Sequence, residues 1–389
     1  MTVVTVRAAI VSTYPPRRCG LATFAAHLRQ GLLAAGAAEV PVVAVVREEA
    51  GSWPPEVAMT LPQDEDWAYV EAARFLNRSG VDAVLLQHEF GIFGGEVGRM
   101  VLRLLSSLSV PVITTLHTVL SRPGPEQLAV LQRVIRASRA VVVMAGRAVG
   151  LLRDVYGAPP EKIVHIPHGV PAPPPGTPAE WKERLGLAGR TVAMTFGLIG
   201  PGKGIERVLD AMAEAVPQCP DLLYLVVGAT HPDIARASGE SYRQGLEERV
   251  RRLGLEDHVR FVNRYLKEGE LLGYLAACDI YITPYLEPQQ ISSGTLTYAV
   301  AMGKAVISTP YAYAEELLGG GVGWLVPFGD TGALARALVA LAGSPGLRAG
   351  LARRARERAR GFSWPEVGAR YLNLVESLGR GEVRAVARP

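Results

Sequence analysis

Two stretches of the chain carry residues whose types and spacing suit the binding of a charged, hydroxyl-rich ligand. In residues 196–204 (FGLIGPGKG), Gly197 through Lys203 spells G-x-x-x-x-G-K, the opening of a phosphate-binding loop. A nucleotide triphosphatase would follow that lysine with Ser or Thr to hold Mg²⁺, and here the next residue is Gly204. What remains is a lysine flanked by Gly202 and Gly204 at the start of an amphipathic helical stretch. A cation and open helix amides can neutralise a diphosphate without a metal. The second stretch is 283–310 (TPYLEPQQISSGTLTYAVAMGKAVISTP). Glu287, Gln289 and Gln290 follow a strand end, and Ser292, Ser293, Gly294 and Thr295 turn into a helix ending near Gly303. Such side chains pair with sugar hydroxyls, and the amides of a helix start suit a phosphate. Helix capping accounts for one serine but not for the acid and two amides before it.

Weaker signals lie in the first half. Residues 12–20 (STYPPRRCG) join a strand to a helix, and Gly20 at the helix start leaves backbone free to approach an anion. His117, in TTLHT, and His88 with Glu89, in QHEFGIFGG, close two further strands. A lone histidine is commonly structural, but the end of a strand is where parallel sheets place ligand contacts. Asp64 and Asp66 spell acid-x-acid before a helix, in the half lacking the lysine loop, and are rejected as a metal site. No metal and no cofactor are expected.

These loops need a scaffold. At 389 residues the chain suits two domains. Short β-branched runs at 3–11, 40–46, 83–87, 112–115 and 140–144 alternate with helical patterns at 21–35, 66–77, 97–108 and 126–137. After the six prolines of 166–178 (IPHGVPAPPPGTP) the alternation restarts. Strands are then predicted at 191–196, 222–227, 259–262, 280–283, 305–308 and 323–326, with helices at 205–215, 242–253, 268–277 and 294–301. The fold class is α/β, with two Rossmann-like domains of parallel sheet covered on both faces. The boundaries are placed at 1–170 plus a returning C-terminal helix at 364–389, and 171–363. A cleft between the domains is expected to receive the strand-end loops.

Bulk properties exclude several classes. Apolar residues make up 49% and charged residues 20%, a globular composition. No apolar run is long enough to span a bilayer, and the N-terminus reads as a first strand rather than a signal peptide. Cys19, Cys219 and Cys278 form neither ligand spacing nor a disulfide framework, so a cytoplasmic location is expected. The net charge is +4, with the excess concentrated in RAGLARRARERAR at 348–360. No aromatics interleave with that run, so nucleic acid is not expected as a partner. A solvated helix face is the favoured reading, and weak peripheral membrane contact is the minor one.

The order FGLIGPGKGIERVLDAM, YLVVGATHP, ACDIYITPYLEPQQ, TYAVAMGKAVISTPYAYAEELL and GVGWLVPFGD resembles the donor domain of glycosyltransferase family 4. CGLATF, TLHT, IPHGV and the closing FSWPEVGARYLNLVESL resemble the remainder of the family pattern. The resemblance covers nearly the whole chain. It implies a GT-B fold and a retaining, metal-independent hexosyl transfer from a nucleotide-diphosphate sugar to a small-molecule, oligosaccharide or lipid acceptor. The leaving diphosphate would take the acceptor proton. Lys203 would meet the diphosphate, His117 the donor sugar, and Glu315 the nucleoside unless it merely caps a helix. The donor stays open between GDP-, UDP- and ADP-sugars, with GDP-mannose the first choice.

Two departures stand out. Leu198 occupies the place of the family's arginine, and the paired glutamates fall on Gln290 and Tyr298. The first glutamate's sugar contact could pass to Gln290 or Glu287. The Gln-x-x-Ser-Gly-Thr-Leu form resembles a distinct subgroup of the family, and the departures keep open a noncatalytic sugar-binding protein or a phosphorylase of the same fold. A P-loop-like hydrolase or kinase is disfavoured by Gly204.

Overall fold

The computed structural model describes residues 6–47 and 52–379. The chain divides into two compact units, Met1–Pro171 with Gly361–Pro389, and Ala172–Arg360.

The first unit holds a seven-stranded sheet. Its strands are β1 (Ala8–Ser12), β2 (Val42–Val46), β3 (Val57–Pro62), β4 (Ala83–His88), β5 (Val112–Leu116), β6 (Ala140–Val143) and β7 (Ile163–His165). They run parallel in the order β3-β2-β1-β4-β5-β6-β7. The reason is visible in the residues: AAIVS, VVAVV and AVVV are buried at every position, as strands covered on both faces must be. The second unit repeats the plan with β8 (Thr191–Phe196), β9 (Leu222–Val227), β10 (Val259–Val262), β11 (Ile280–Thr283), β12 (Ala305–Ser308) and β13 (Trp324–Leu325). Their order is β10-β9-β8-β11-β12-β13, again parallel. Strand order reverses between β1 and β4 in one sheet and between β8 and β11 in the other. Ligands of open parallel sheets bind at such switch points, beyond the carboxyl ends of the strands.

Several sequence expectations need correction. Strand β3 was unforeseen because it is a half-exposed edge strand, and β7 because its three residues run straight into the proline-rich segment. The expected strand at 3–11 begins at Ala8 in the structure, and residues 3–5 lie outside the described residues. The expected helix at 97–108 is broken. A 3₁₀ turn at Glu96–Gly98 holds Val97 at φ 46°, and an α-helix begins only at Val101. A β-branched residue in left-handed conformation cannot sit inside an α-helix. The proline segment itself ends in a helix, Pro178–Arg184, with Thr177 as its capping residue and proline in its first turn.

The arginine run also differs from a solvated face. It forms the helix Pro345–Arg358, and several of its side chains are spent on backbone carbonyls. Arg358 donates to the carbonyls of Glu316 and Gly319, Arg354 to that of Gly321, and Arg348 to that of Ala342. The helix Ala312–Leu318 and the glycine turn after it thereby gain partners for orphan C-terminal carbonyls.

The C-terminal helix Trp364–Gly379 packs within the first unit against the helix Gly20–Ala34. The expected helix extended to 389, and residues 380–389 lie outside the described residues. The two helices meet at Gly31 and Gly368. A Cβ on Gly368 would stand 2.2 Å from the backbone carbonyl of Gly31. Trp364 and Tyr371 on this helix are buried beside Phe24 and Leu28 in the unit's core.

Candidate donor-binding site

In the second unit the loops after β8 and β11 flank the switch point, and they hold the lysine turn and the polar turn. Residues 197–204 are shaped by close backbone approach. Gly204 lies at φ +64°, and a Cβ there would stand 2.1 Å from the Pro284 carbonyl oxygen. Only glycine fits both demands. The Leu286 amide donates to the Gly202 carbonyl (3.2 Å), fastening the two loops together. A Cβ on Gly202 would meet open space.

Lys203 is half-buried and makes no ion pair with any described residue. Its Nζ instead lies 4.0 Å from the centre of the Tyr285 ring. Tyr285 is 1% exposed, and its hydroxyl hydrogen-bonds Thr295 Oγ1 (2.8 Å). Thr295 Oγ1 is 3.2 Å from Ser293 Oγ. Ser293 caps the helix Gly294–Ala301, its hydroxyl accepting the Leu296 amide. That bond leaves the amides of Gly294 and Thr295, at the first two positions, with no partner inside the helix. The structure therefore brings Gly202, Lys203 and Gly204 together with Ser293, Gly294 and Thr295. A cation with no ion-pair partner among the described residues and a set of open amides share one corner, an arrangement suited to a diphosphate.

Glu287 and Gln290 occupy the same loop but turn onto their own backbone. Glu287 Oε1 accepts the Gln289 amide (2.9 Å), and Gln290 Nε2 donates to the Ser292 carbonyl (2.9 Å). Both brace the turn into the helix, and the Gln290 carbonyl oxygen on its side chain is left to accept from a ligand. Tyr298 is buried, its ring 6.4 Å from that of Phe196. Leu198 supplies no charge at its place in the lysine loop. Glu315 is exposed on the helix Ala312–Leu318. Tyr285 was missed by sequence reasoning, although an aromatic residue two positions beyond the end of β11 was the signal available.

In the first unit, His117 stands just beyond β5 with its Nε2 3.0 Å from Gln87 Oε1. An amide oxygen only accepts, so the imidazole proton sits on Nε2. Burial, with His168 and His88 adding to it, holds the His117 pKa down at about 3, and the ring is neutral. Phe24 packs edge-on against it at 4.8 Å. Glu89 accepts from the Thr118 hydroxyl and the Phe90 amide, and burial raises its pKa. Gly20 opens the helix Gly20–Ala34 behind Cys19, whose Sγ accepts the Ala22 amide. A Cβ on Gly20 would meet open space. Asp64 and Asp66 are exposed, and Asp66 pairs with Arg103 (3.1 Å). Among the described residues no group of three or more His, Cys, Asp or Glu side chains is placed to hold a metal ion. No described helix is long and apolar enough to cross a membrane.

His88 differs from its neighbours. It is fully buried, neither ring nitrogen has a partner among the described residues, and Phe90 and Phe93 pack against it. Burial pushes its pKa down to about 4. Between that value and the ordinary 6.5 the unfolded chain binds a proton that the folded chain refuses, so stability falls as pH falls through this window. From pH 7 to pH 5 this one group should cost about 2 kcal/mol of unfolding free energy. His117 and His168 are depressed in the same way, so His88→Phe should reduce the loss between the two pH values, read by urea denaturation, by about that one share. An equal slope in wild type and variant would refute the assignment.

Comparison with known proteins bears on the family and the fold. Residues 19–172 match the family described as Glycosyltransferase Family 4, and residues 190–344 match Glycosyl transferases group 1. The chain is 30% identical to the D-inositol 3-phosphate glycosyltransferase of Saccharomonospora viridis over 317 residues, covering 74% of this chain and 69% of that one. It is 28% identical to the phosphatidyl-myo-inositol mannosyltransferase of Mycobacterium leprae, covering 69% and 67% respectively. In structure it is similar to a sucrose-phosphate synthase from Thermosynechococcus elongatus (TM-score 0.77, 20% identity, 97% of this chain and 100% of that one). It is likewise similar to Anabaena HepE in complex with UDP (TM-score 0.72, 18% identity, 96% and 100%). Two parallel α/β units, the matched families and these relatives lead to one conclusion: the chain is a glycosyltransferase of family 4, with the GT-B fold.

Proposed function

We propose that this glycosyltransferase moves a hexose from a nucleotide-diphosphate sugar to an acceptor hydroxyl with retention at the anomeric carbon and without a metal. The observation that carries the reading is Lys203, a half-buried cation with no acid partner among the described residues, set beside the open amides of Gly294 and Thr295. A leaving diphosphate gains negative charge as its bond to the sugar breaks. Groups already oriented toward that charge stabilise the transition state without reorganising. In this scheme the diphosphate oxygen takes the acceptor proton. Gln290 and Glu287 contact sugar hydroxyls, and the neutral His117 acts as a hydrogen-bonding group rather than a charge.

The relatives supply the choice of substrates. One is named a mannosyltransferase, and both are named for inositol-containing compounds. GDP-mannose is therefore the first donor to test, with UDP- and ADP-sugars beside it, and a polyol, oligosaccharide or lipid hydroxyl is the acceptor. Isothermal titration with GDP, UDP, ADP and their sugar conjugates tests the reading directly. Failure of all of them to bind would sink it. Turnover should persist in EDTA, and loss on chelation with recovery in Mg²⁺ or Mn²⁺ would show that a metal takes part.

Gln290→Ala and Glu287→Ala should each lower turnover by a factor of roughly 5 to 150, the cost of an unpaired polar group in a filled site. Affinity for the bare nucleoside diphosphate should barely move. A collapse of nucleotide affinity would place these residues on the nucleoside instead.

A further inference from the structure

A lysine that works alone needs a device to aim it. Leu198 removes the second cation that the family resemblance leads one to expect in this loop, so Lys203 stands as the charged group there. Four torsions separate its ammonium from the backbone, and no carboxylate among the described residues holds it. What holds it is the ring of Tyr285, with Nζ 4.0 Å from the ring centre.

That ring is itself fixed on every side. Tyr285 is fully buried and stacks on Tyr311 at 5.3 Å with an interplanar angle of 20°. Its hydroxyl reaches Thr295 Oγ1, on the first turn of the helix whose amides are open. Burial pushes the phenols of Tyr281, Tyr285 and Tyr311 up. Of the three, Tyr285 alone ends below its ordinary range, because Lys203 and its hydrogen bonds outweigh burial.

We propose that Tyr285 is a positioning residue: its ring seats the Lys203 ammonium while its hydroxyl is tied to Thr295, so that the cation and the amides of Gly294 and Thr295 converge on one diphosphate. The inference rests on the donor-site reading above and adds the residue that orients its single cation. A flat, rigid ring face attracts an ammonium without neutralising it, whereas a carboxylate partner would compete with the phosphate. Aiming by an aromatic face therefore leaves the full positive charge for the ligand.

The test uses the full-length protein and calorimetry with GDP, UDP or ADP, whichever the wild type binds, against the matching nucleoside. Tyr285→Leu removes the ring face and should weaken diphosphate affinity roughly tenfold, with nucleoside affinity preserved. Tyr285→Phe keeps the face and should stay within about threefold of wild type. In a Lys203→Met background, Tyr285→Leu should add nothing further, because it acts through the lysine. Equal diphosphate affinity in wild type and Tyr285→Leu would overturn the proposal, as would full additivity with Lys203→Met. Should Tyr285→Leu not fold, selective ¹³C labelling of lysine gives the answer in the wild type. The Lys203 side-chain proton signals, assigned by their loss in Lys203→Met, should be shifted upfield by the ring current and should move when pyrophosphate is added. Unshifted signals would equally overturn the proposal. A wild type that binds no nucleoside diphosphate would instead remove the donor-site reading itself.

Discussion

Lys203→Ala should lower turnover by about 1.5–3 kcal/mol in transition-state stabilisation, roughly 10- to 150-fold, the range for a lost hydrogen bond to a charged group. The upper half of that range is favoured by the setting. Among the described residues Lys203 has no ion-pair partner to compete for its charge, and Leu198 offers no substitute nearby. Gly204 cannot be asked to compensate, because its left-handed backbone is held against the Pro284 carbonyl. The variant should fold normally, since the side chain is only half-buried and lies against the face of Tyr285. Steady-state kinetics with the donor that the wild type accepts would measure the loss. If the charge acts mainly in the transition state, kcat falls more than KM rises. Unchanged kcat and KM would remove Lys203 from the site and leave the helix amides as the sole phosphate contact.

How far such a site can be read from sequence depends on how local its physics is. Strands β8, β9, β11 and β12 agree with the predicted bounds, because each is buried on both faces and each is bracketed by turn residues. Strand β3 carries no such signal: its edge position leaves VAMTLP half-exposed, and an edge strand need not be apolar throughout. The broken helix at 97–108 was illegible for another reason. Its apolar spacing is helical, and only the glycines around Val97 hint that the backbone turns left-handed there. The glycine-lysine turn and the Ser-Ser-Gly-Thr turn were readable because a helix start is a local object. The seat of Lys203 was not, since Tyr285 follows a different strand and meets the lysine only once β11 lies beside β8. The pairing of Gln87 with His117 is hidden for the same reason, being set by the register of β4 against β5.

The C-terminal helix provides the sharpest stability test, because two opposing terms can be separated by position. Gly368→Ala and Gly150→Ala each put one methyl group inside a helix of the first unit. In a free helix that change is favourable by about 0.5–1 kcal/mol, through reduced chain entropy and better propensity. Gly150 has nothing within 4 Å of the new Cβ, so Gly150→Ala should show this gain. At Gly368 the Cβ would fall 2.2 Å from the Gly31 carbonyl carbon and oxygen, and 2.7 Å from the Leu32 nitrogen. All three are backbone atoms, so no rotamer change relieves the overlap and the two helices must part. Overpacking of a closely fitted contact costs about 1–3 kcal/mol before any lost burial is counted. Parting the helices also loosens Trp364 and Tyr371 from the core and strains the hydrogen bond between Tyr371 and Thr115 (2.9 Å). The clash therefore wins, and Gly368→Ala should be less stable than wild type by about 2 kcal/mol or more. Urea denaturation of the three proteins side by side checks the sign as well as the size. A Gly368→Ala protein as stable as Gly150→Ala would mean that the two helices are not in backbone contact and that the C-terminal helix docks by side chains alone.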